Sequence, residues 1–288
     1  METVVIIDSC SDLPKGYIEE NNLPFLSMTV NFKGKEYKDD FGISLPYKDF
    51  YEEVRKGEMA STSQINAFDY SEQFFKYVRE GKSVVCIAFS SALSGSYNSA
   101  NIAKDMVLEE CKDADITILD SKCASMGEGL LIYYVIELLK KGASKEQLIS
   151  FVEENKLKIN HWFTVDDLNH LKRGGRVSAA AAAIGTLLDI KPVMHVDNEG
   201  RLIPVGKVKG RKKSIRALAE ELDKRIVNAE EQVIFISHGD CFEEAASLRK
   251  MILDKNKVKD VIINEIGPTV GAHSGPGTVA LFFLGDKR

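Results

Sequence analysis

The chain has 288 residues, 44% of them hydrophobic, and a formal net charge of −5, so it is long enough for two domains with real cores and is not a general nucleic-acid binder. No apolar run is long enough to span a bilayer, and the N-terminus opens on a strand-like run, not a signal peptide. The five cysteines (Cys10, Cys86, Cys111, Cys123, Cys241) include no CxxC pair, which argues against a disulfide framework or a zinc site and fits a reducing cytoplasm.

Val4-Val5-Ile6-Ile7-Asp8-Ser9 reads as a parallel strand with Asp8, Ser9, Ser11 and Asp12 at its C-terminal end, where open α/β sheets place ligands. The plain alternative is that Ser11 or Asp12 caps the segment starting at Leu13-Pro14. Leu23 to Phe32 reads as a second strand, with Lys33-Gly34-Lys35 turning into Glu36-Tyr37. Asp39-Asp40 is expected in a solvated loop with nothing to bury it. Tyr47 to Lys56 has amphipathic helical spacing, and Ser61-Thr62-Ser63-Gln64 places hydroxyls ahead of a helix over Phe68 to Val78. A third strand, Val84 to Phe89, runs into Ser90-Ser91-Ala92-Leu93-Ser94-Gly95-Ser96 and then a helix over Tyr97 to Cys111. Such a serine-rich loop at a helix start is either an N-cap or a cradle for a carboxylate or phosphate. Ile116 to Ser121 is a fourth strand, and Ala124 to Lys141 a long amphipathic helix. Four strand–helix alternations imply a mostly parallel, Rossmann-like sheet, but no GxGxxG follows the first strand.

Ser144 to Glu154 is a helix opened by a Ser-x-x-Gln capping box, and a domain boundary is expected near residues 155–160. A strand over Ile159 to Val165 leads to a short helix, Asp166 to Lys172, and then to Arg173-Gly174-Gly175-Arg176. Lys172 and Arg173 suit a helix C-terminus, whereas Arg176 does not fit that explanation. Ala179 to Leu188 reads as a small-residue helix, by tight packing or to leave room for a ligand. Ile190 to Val208 reads as a hairpin, followed by a basic run from Lys207 to Lys213 without interleaved aromatics. Helices over Ser214 to Val227 and Cys241 to Leu253 alternate with strands over Gln232 to Ser237, Val261 to Ile266 and Thr278 to Leu284. Residues 267–277, with four glycines, two prolines and His273, are expected to form a stiff loop that lets backbone approach a ligand.

Taken in order, these pieces resemble the DegV family of bacterial fatty-acid-binding proteins. The resemblance rests on Asp8-Ser9, Asp12-Leu13, Thr62-Ser63-Gln64, Ser90-Ser91-x-Leu93-Ser94-Gly95-x-Tyr97 and Leu171 to Arg176. It continues through Gly206-Lys207-Val208-x-Gly210 and Gly271-x-His273-x-Gly275-Pro276-Gly277. Ser96 departs from the usual threonine but keeps the hydroxyl.

The resemblance implies a two-domain α/β fold, one DegV unit over 3–285, with a Rossmann-like domain at 1–157 and a second α/β domain at 158–288. One long-chain fatty acid, such as palmitate, stearate or oleate, would lie between them as the only ligand, with no cofactor and no metal. Thr62 and Ser94 would hold its carboxylate, with Gly95 and His273 beside it. Such proteins are not enzymes; they present the lipid to a separate fatty acid kinase, feeding phospholipid synthesis or fatty acid transport. Arg173, Arg176 and Lys207 would then dock the kinase or steer phosphate. Neither nucleic acid nor integral membrane contact is expected, and the location is cytoplasmic.

Two other readings stay open on the residues alone. Ser94 could be the nucleophile of a serine hydrolase, with His238 or His273 as base and Asp8 or Asp12 as orienter, although no Gly-x-Ser-x-Gly elbow surrounds it. Alternatively, the basic run could bind a phosphosugar or nucleotide.

Overall fold

The computed structural model describes residues 1–178 and 189–288, so the alanine-rich helix expected over 179–188 lies outside the described residues. Three sheets organise the rest. The first has the order β2 (Phe25–Leu26), β1 (Thr3–Asp8), β6 (Ser83–Ala88), β7 (Ile116–Asp120), all parallel, as the alternating pattern implied. Every residue of β6 is buried, because both faces of the sheet are covered. Ile6, Val84 and Cys86 pack with residues of α3 (Ala67–Arg79) and α4 (Ser96–Glu110). Val5, Ile7, Val85 and Ile87 pack with residues of α5 (Met126–Lys140) and α6 (Lys145–Asn155). The capping box of α6 is formed as expected, with Ser144 and Gln147 bonding each other's backbone.

The expected strand over Leu23 to Phe32 is split. Phe25 and Leu26 join the parallel sheet, while β3 (Thr29–Phe32) leaves it to pair antiparallel with β4 (Lys35–Lys38) and β5 (Ala60–Ser63). The β3–β4 turn has positive φ at Lys33 and Gly34 (51° and 75°), the mirror-image geometry that matches strand twist. Thr62 therefore sits on a strand opposite Val30, not in a loop at a helix start.

The third sheet has the order β10 (Leu202–Lys209), β9 (Ile190–Val196), β8 (Ile159–Thr164), β13 (Val279–Leu284), β11 (Val233–His238), β12 (Asp260–Glu265). Only β11 and β12 pair in parallel. One face packs on α8 (Arg211–Arg225) and α9 (Phe242–Leu253), through Leu218, Leu222 and Leu248 against Ile234, Leu281 and Phe283. The other face presents Phe163, Phe235 and Phe282 to the cluster that contains α5. Helix α5 thus lies between two sheets. It departs from the amphipathic pattern expected, since residues Met126 to Ile132 are all buried. No helix among the described residues is long and apolar enough to cross a membrane.

Residues 267–277 also differ from expectation. Pro268–Ser274 forms a helix, α10, started by a proline in its first turn and followed by Gly275 at φ 78°. Its N-terminus is capped from a distance. Asp12 accepts from the Gly267 N–H at 2.8 Å, and Asp39 from the Thr269 N–H at 3.0 Å. Asp12 is therefore no local cap: the segment after Pro14 begins with no side-chain cap bond. Asp39 is likewise not solvated; it is 2% exposed, whereas Asp40 stays in the loop and bonds Ser44. Burial pushes the Asp39 carboxyl up from 3.8 to about 6, against the pull of its bonds to Thr269.

The sign of this shift makes a prediction. The native state holds the Asp39 proton more tightly than the unfolded chain, so ionising it costs stability as pH rises from about 4 to about 6. The Asp39→Asn variant keeps an oxygen for Thr269 and does not titrate. Its stability relative to wild type, by urea unfolding, should improve by on the order of 2 kcal/mol between pH ~4 and pH ~7.

Candidate functional site

A cavity of about 190 Å3 lies where the three sheets meet. Phe89, Leu93, Phe163, Val196, Ala280 and Phe282 contribute apolar wall. Thr62, Ser94, Gly95, Arg176 and His273 also line it, and contacts among them gather at one place. The Nε2 of His273 is 2.8 Å from the Thr62 hydroxyl. Arg176 donates through Nε (3.1 Å) and Nη2 (2.9 Å) to the carbonyl of Leu93, next to Ser94, and through Nη1 to the carbonyl of Gly174. Gly174 in turn lies against His273: a Cβ there would stand 2.1 Å from the ring Nδ1. On the other side, a Cβ on Gly95 would stand 2.0 Å from Gln64 Oε1, so the Thr62–Gln64 and Ser94–Gly95 segments meet. Both glycines are required by close approach, not by turn geometry.

The electrostatics of this corner are unbalanced. Burial, with the Arg176 charge adding to it, holds the His273 imidazole down to about 4, so the ring is neutral near pH 7. Its Nδ1 is buried and has no hydrogen-bond partner. Arg176 is half-buried, and burial also lowers its pKa, yet no carboxylate pairs with it among the described residues. A partly desolvated guanidinium beside a cavity, offset only by carbonyl dipoles, favours an anion. Ser94 Oγ lies 3.0 Å from Ser96 Oγ and accepts from the Ser96 N–H at 3.2 Å, where α4 begins without a side-chain cap.

Thr62, Ser94, Gly95 and His273, separated by up to 211 positions, are thus in one cavity wall. Arg176 joins them instead of facing outward. Arg173 does not line the cavity; its Nη2 lies 3.1 Å from His170 Nδ1. Lys207 lines a separate pocket on the far side of the six-stranded sheet. The hydrolase constellation is not assembled. Ser94 bonds Ser96, not a histidine, and His238 Nδ1 accepts from the Cys241 N–H. Asp8 is held by the Cys10 and Phe89 N–H groups, and Asp12 by Ser125 and Gly267. Gly174 is the residue that sequence reasoning passed over. Its only signal was two adjacent glycines between cations.

A family model described as "Uncharacterised protein, DegV family" matches residues 2–286. The chain belongs to the DegV family. A DegV domain-containing protein of Clostridium perfringens is 50% identical over 285 residues, 99% of this chain and 98% of the relative. Among solved structures, a DegV family protein from Thermus thermophilus, described as binding fatty acid, superposes with a TM-score of 0.90 at 28% identity, covering 99% of this chain and 100% of that one. DegV of Bacillus subtilis, described as a fatty acid binding protein, gives 0.87 at 32% identity over 99% and 100% of the two chains. The chain has the mixed α/β DegV fold, with a parallel sheet and further sheets.

Gly174→Ala should displace the His273 ring without unfolding the chain, since Gly174 is half-buried and its φ is not positive. In NMR titration, the His273 pKa should rise from about 4 toward the ordinary 6.5. A value unchanged from wild type would show that the glycine does not set the ring position.

Proposed function

We propose that this protein binds one long-chain fatty acid in the cavity between its sheets and holds it for a fatty acid kinase. The observation that carries this reading is the Arg176 guanidinium, with no carboxylate partner among the described residues, at the hydroxyl-lined corner of an otherwise largely apolar cavity. In this reading Thr62 and Ser94 donate to the carboxylate and Gly95 lets it come close to the start of α4. Neutral His273 donates or accepts according to its tautomer. Arg176 supplies the counter-charge, a role nearer the ligand than docking.

The energetics are consistent with such a ligand. Each buried methylene gains ~0.8 kcal/mol, so about a dozen give on the order of 10 kcal/mol before entropy costs. A buried carboxylate alone would cancel much of that gain. Two hydroxyls, a helix start and one guanidinium offset the cost without a metal. In the same reading, residues 1–157 form the lobe that supplies the head-group hydroxyls, and residues 158–288 the lobe that supplies most of the wall for the tail. Arg173 is exposed near the head-group corner and suits docking of the kinase. The structural relatives described as fatty acid binding proteins support the ligand class.

The test is direct. Mass spectrometry of denatured purified protein should release one fatty acid per chain. The Thr62→Ala/Ser94→Ala double variant should retain at least about tenfold less while melting near the wild-type temperature, because Thr62 and Ser94 are half-buried and outside the core clusters. Equal retention by the double variant would remove Thr62 and Ser94 from the head-group site.

A further inference from the structure

A second pocket, of about 490 Å3, lies on the opposite face of the six-stranded sheet, and nothing in the fatty acid reading uses it. Strand alternation separates the two. His161, Phe163 and Val196 face the lipid cavity, whereas Trp162, Val193 and His195 face the second pocket. Trp162 and His195 are directly opposed in the β8–β9 register and stack at 4.4 Å with 30° between the rings, so the indole backs one face of the imidazole at the base of the pocket.

One wall is helix α8, where Ala217, Glu221 and Arg225 recur every fourth residue on one side. The opposite wall is the edge strand β10, which is irregular between Pro204 and Gly206 and has no side chain at Gly206 to fill the space. Lys207, Arg225 and Arg288 are set against a single lining carboxylate, Glu221. Two of these cations are already held. Arg225 lies 4.9 Å over the Trp162 ring and pairs with Glu221 at 3.0 Å. Arg288 donates to the carbonyls of Lys156, Ile159 and Asp197. Lys207 is exposed and has no ion-pair partner among the described residues. His195 Nδ1 lies 2.8 Å from the His161 carbonyl and so carries the ring proton, leaving Nε2 as an acceptor with no partner among the described residues.

A stacked indole–imidazole pair, a free nitrogen on that imidazole and an exposed cation at the rim with no ion-pair partner among the described residues describe a ligand with a ring at one end and a negative charge at the other. We propose that this pocket binds a small planar anion of about mononucleotide size, its ring against His195 and its anionic group on Lys207. The volume falls within the roughly 300–1,000 Å3 typical of small-molecule sites.

Trp162 is the only tryptophan of the chain, so its emission reports on this pocket alone. Full-length protein carrying its copurified lipid would be titrated with AMP as the probe, with adenosine and inorganic phosphate as separate arms. The expected result is a saturable change in Trp162 emission with AMP, with either arm at least about tenfold weaker. Lys207→Glu should weaken AMP binding at least about tenfold, and Ala217→Phe should abolish it by filling the pocket. Both variants should keep the wild-type lipid content by mass spectrometry and the wild-type melting temperature. No saturable response to millimolar AMP, by fluorescence and calorimetry, would overturn the proposal. So would binding that Lys207→Glu leaves unchanged, or phosphate binding as tightly as AMP. Lipid content is measured separately, so failure here is distinct from failure of the fatty acid reading.

Discussion

The corner that holds His273 depends on a reach across the molecule. Asp12 and Asp39, from the first half of the chain, accept the Gly267 and Thr269 N–H groups at the start of helix α10. A two-turn helix cannot cap itself with glycine and proline, and its orphan donors are buried. Carboxylates brought from elsewhere satisfy them, and the cost of burying those charges appears in the raised Asp12 and Asp39 pKa values. Asn264 donates to the Asp12 carbonyl, and Tyr51 Oη donates to the Ile266 carbonyl, so the start of α10 is held from several directions. His273 lies on the last turn of this helix, and its placement beside Thr62 follows from that fixed start.

The cavity has a comparable cause. Helix α5 is buried between the parallel sheet and the six-stranded sheet, and its apolar residues pack in the core they share. Just before α5 begins, Ala124 and Ser125 line the cavity together with loops from both halves of the chain. Close packing holds wherever a helix can be inserted and lapses at the edges of that insertion. The polar groups there come from strand and helix ends, where backbone donors are free. Arg176 is consistent with such a place. A guanidinium tolerates partial burial when carbonyls flank it, and it remains available to an anion.

Much of this was legible in the chain itself. Continuous apolar runs such as Val84 to Phe89 gave the parallel strands, because a strand covered on both faces needs no polar alternation. Ser144 and Gln147 announced their helix through local chemistry that does not need the rest of the fold. Thr62, Ser94 and His273 were legible as separate hydroxyl and histidine motifs. Other features were not. Thr62 lies on a strand whose partner, Val30, belongs to a segment that reads as one strand and is two. Asp39 sits in a stretch with every local sign of a solvated loop, and Gly267 to Gly277 has the composition of an irregular one.

The sequence by itself determined most of the strands and helices, which follow from periodicity and short-range capping, and its motifs carried the resemblance to the family and the residue types that crowd the cavity. Only the tertiary structure decided that Asp39 is buried and that α10 is a helix. It also decided that Arg176 turns inward while Lys207 faces the opposite side of a sheet. Those outcomes depend on partners distant along the chain, as with Asp39 and Thr269 or Arg176 and Leu93. Local pattern carries no information about which distant donor will meet a given carboxylate, or about which side of a sheet a loop cation will reach.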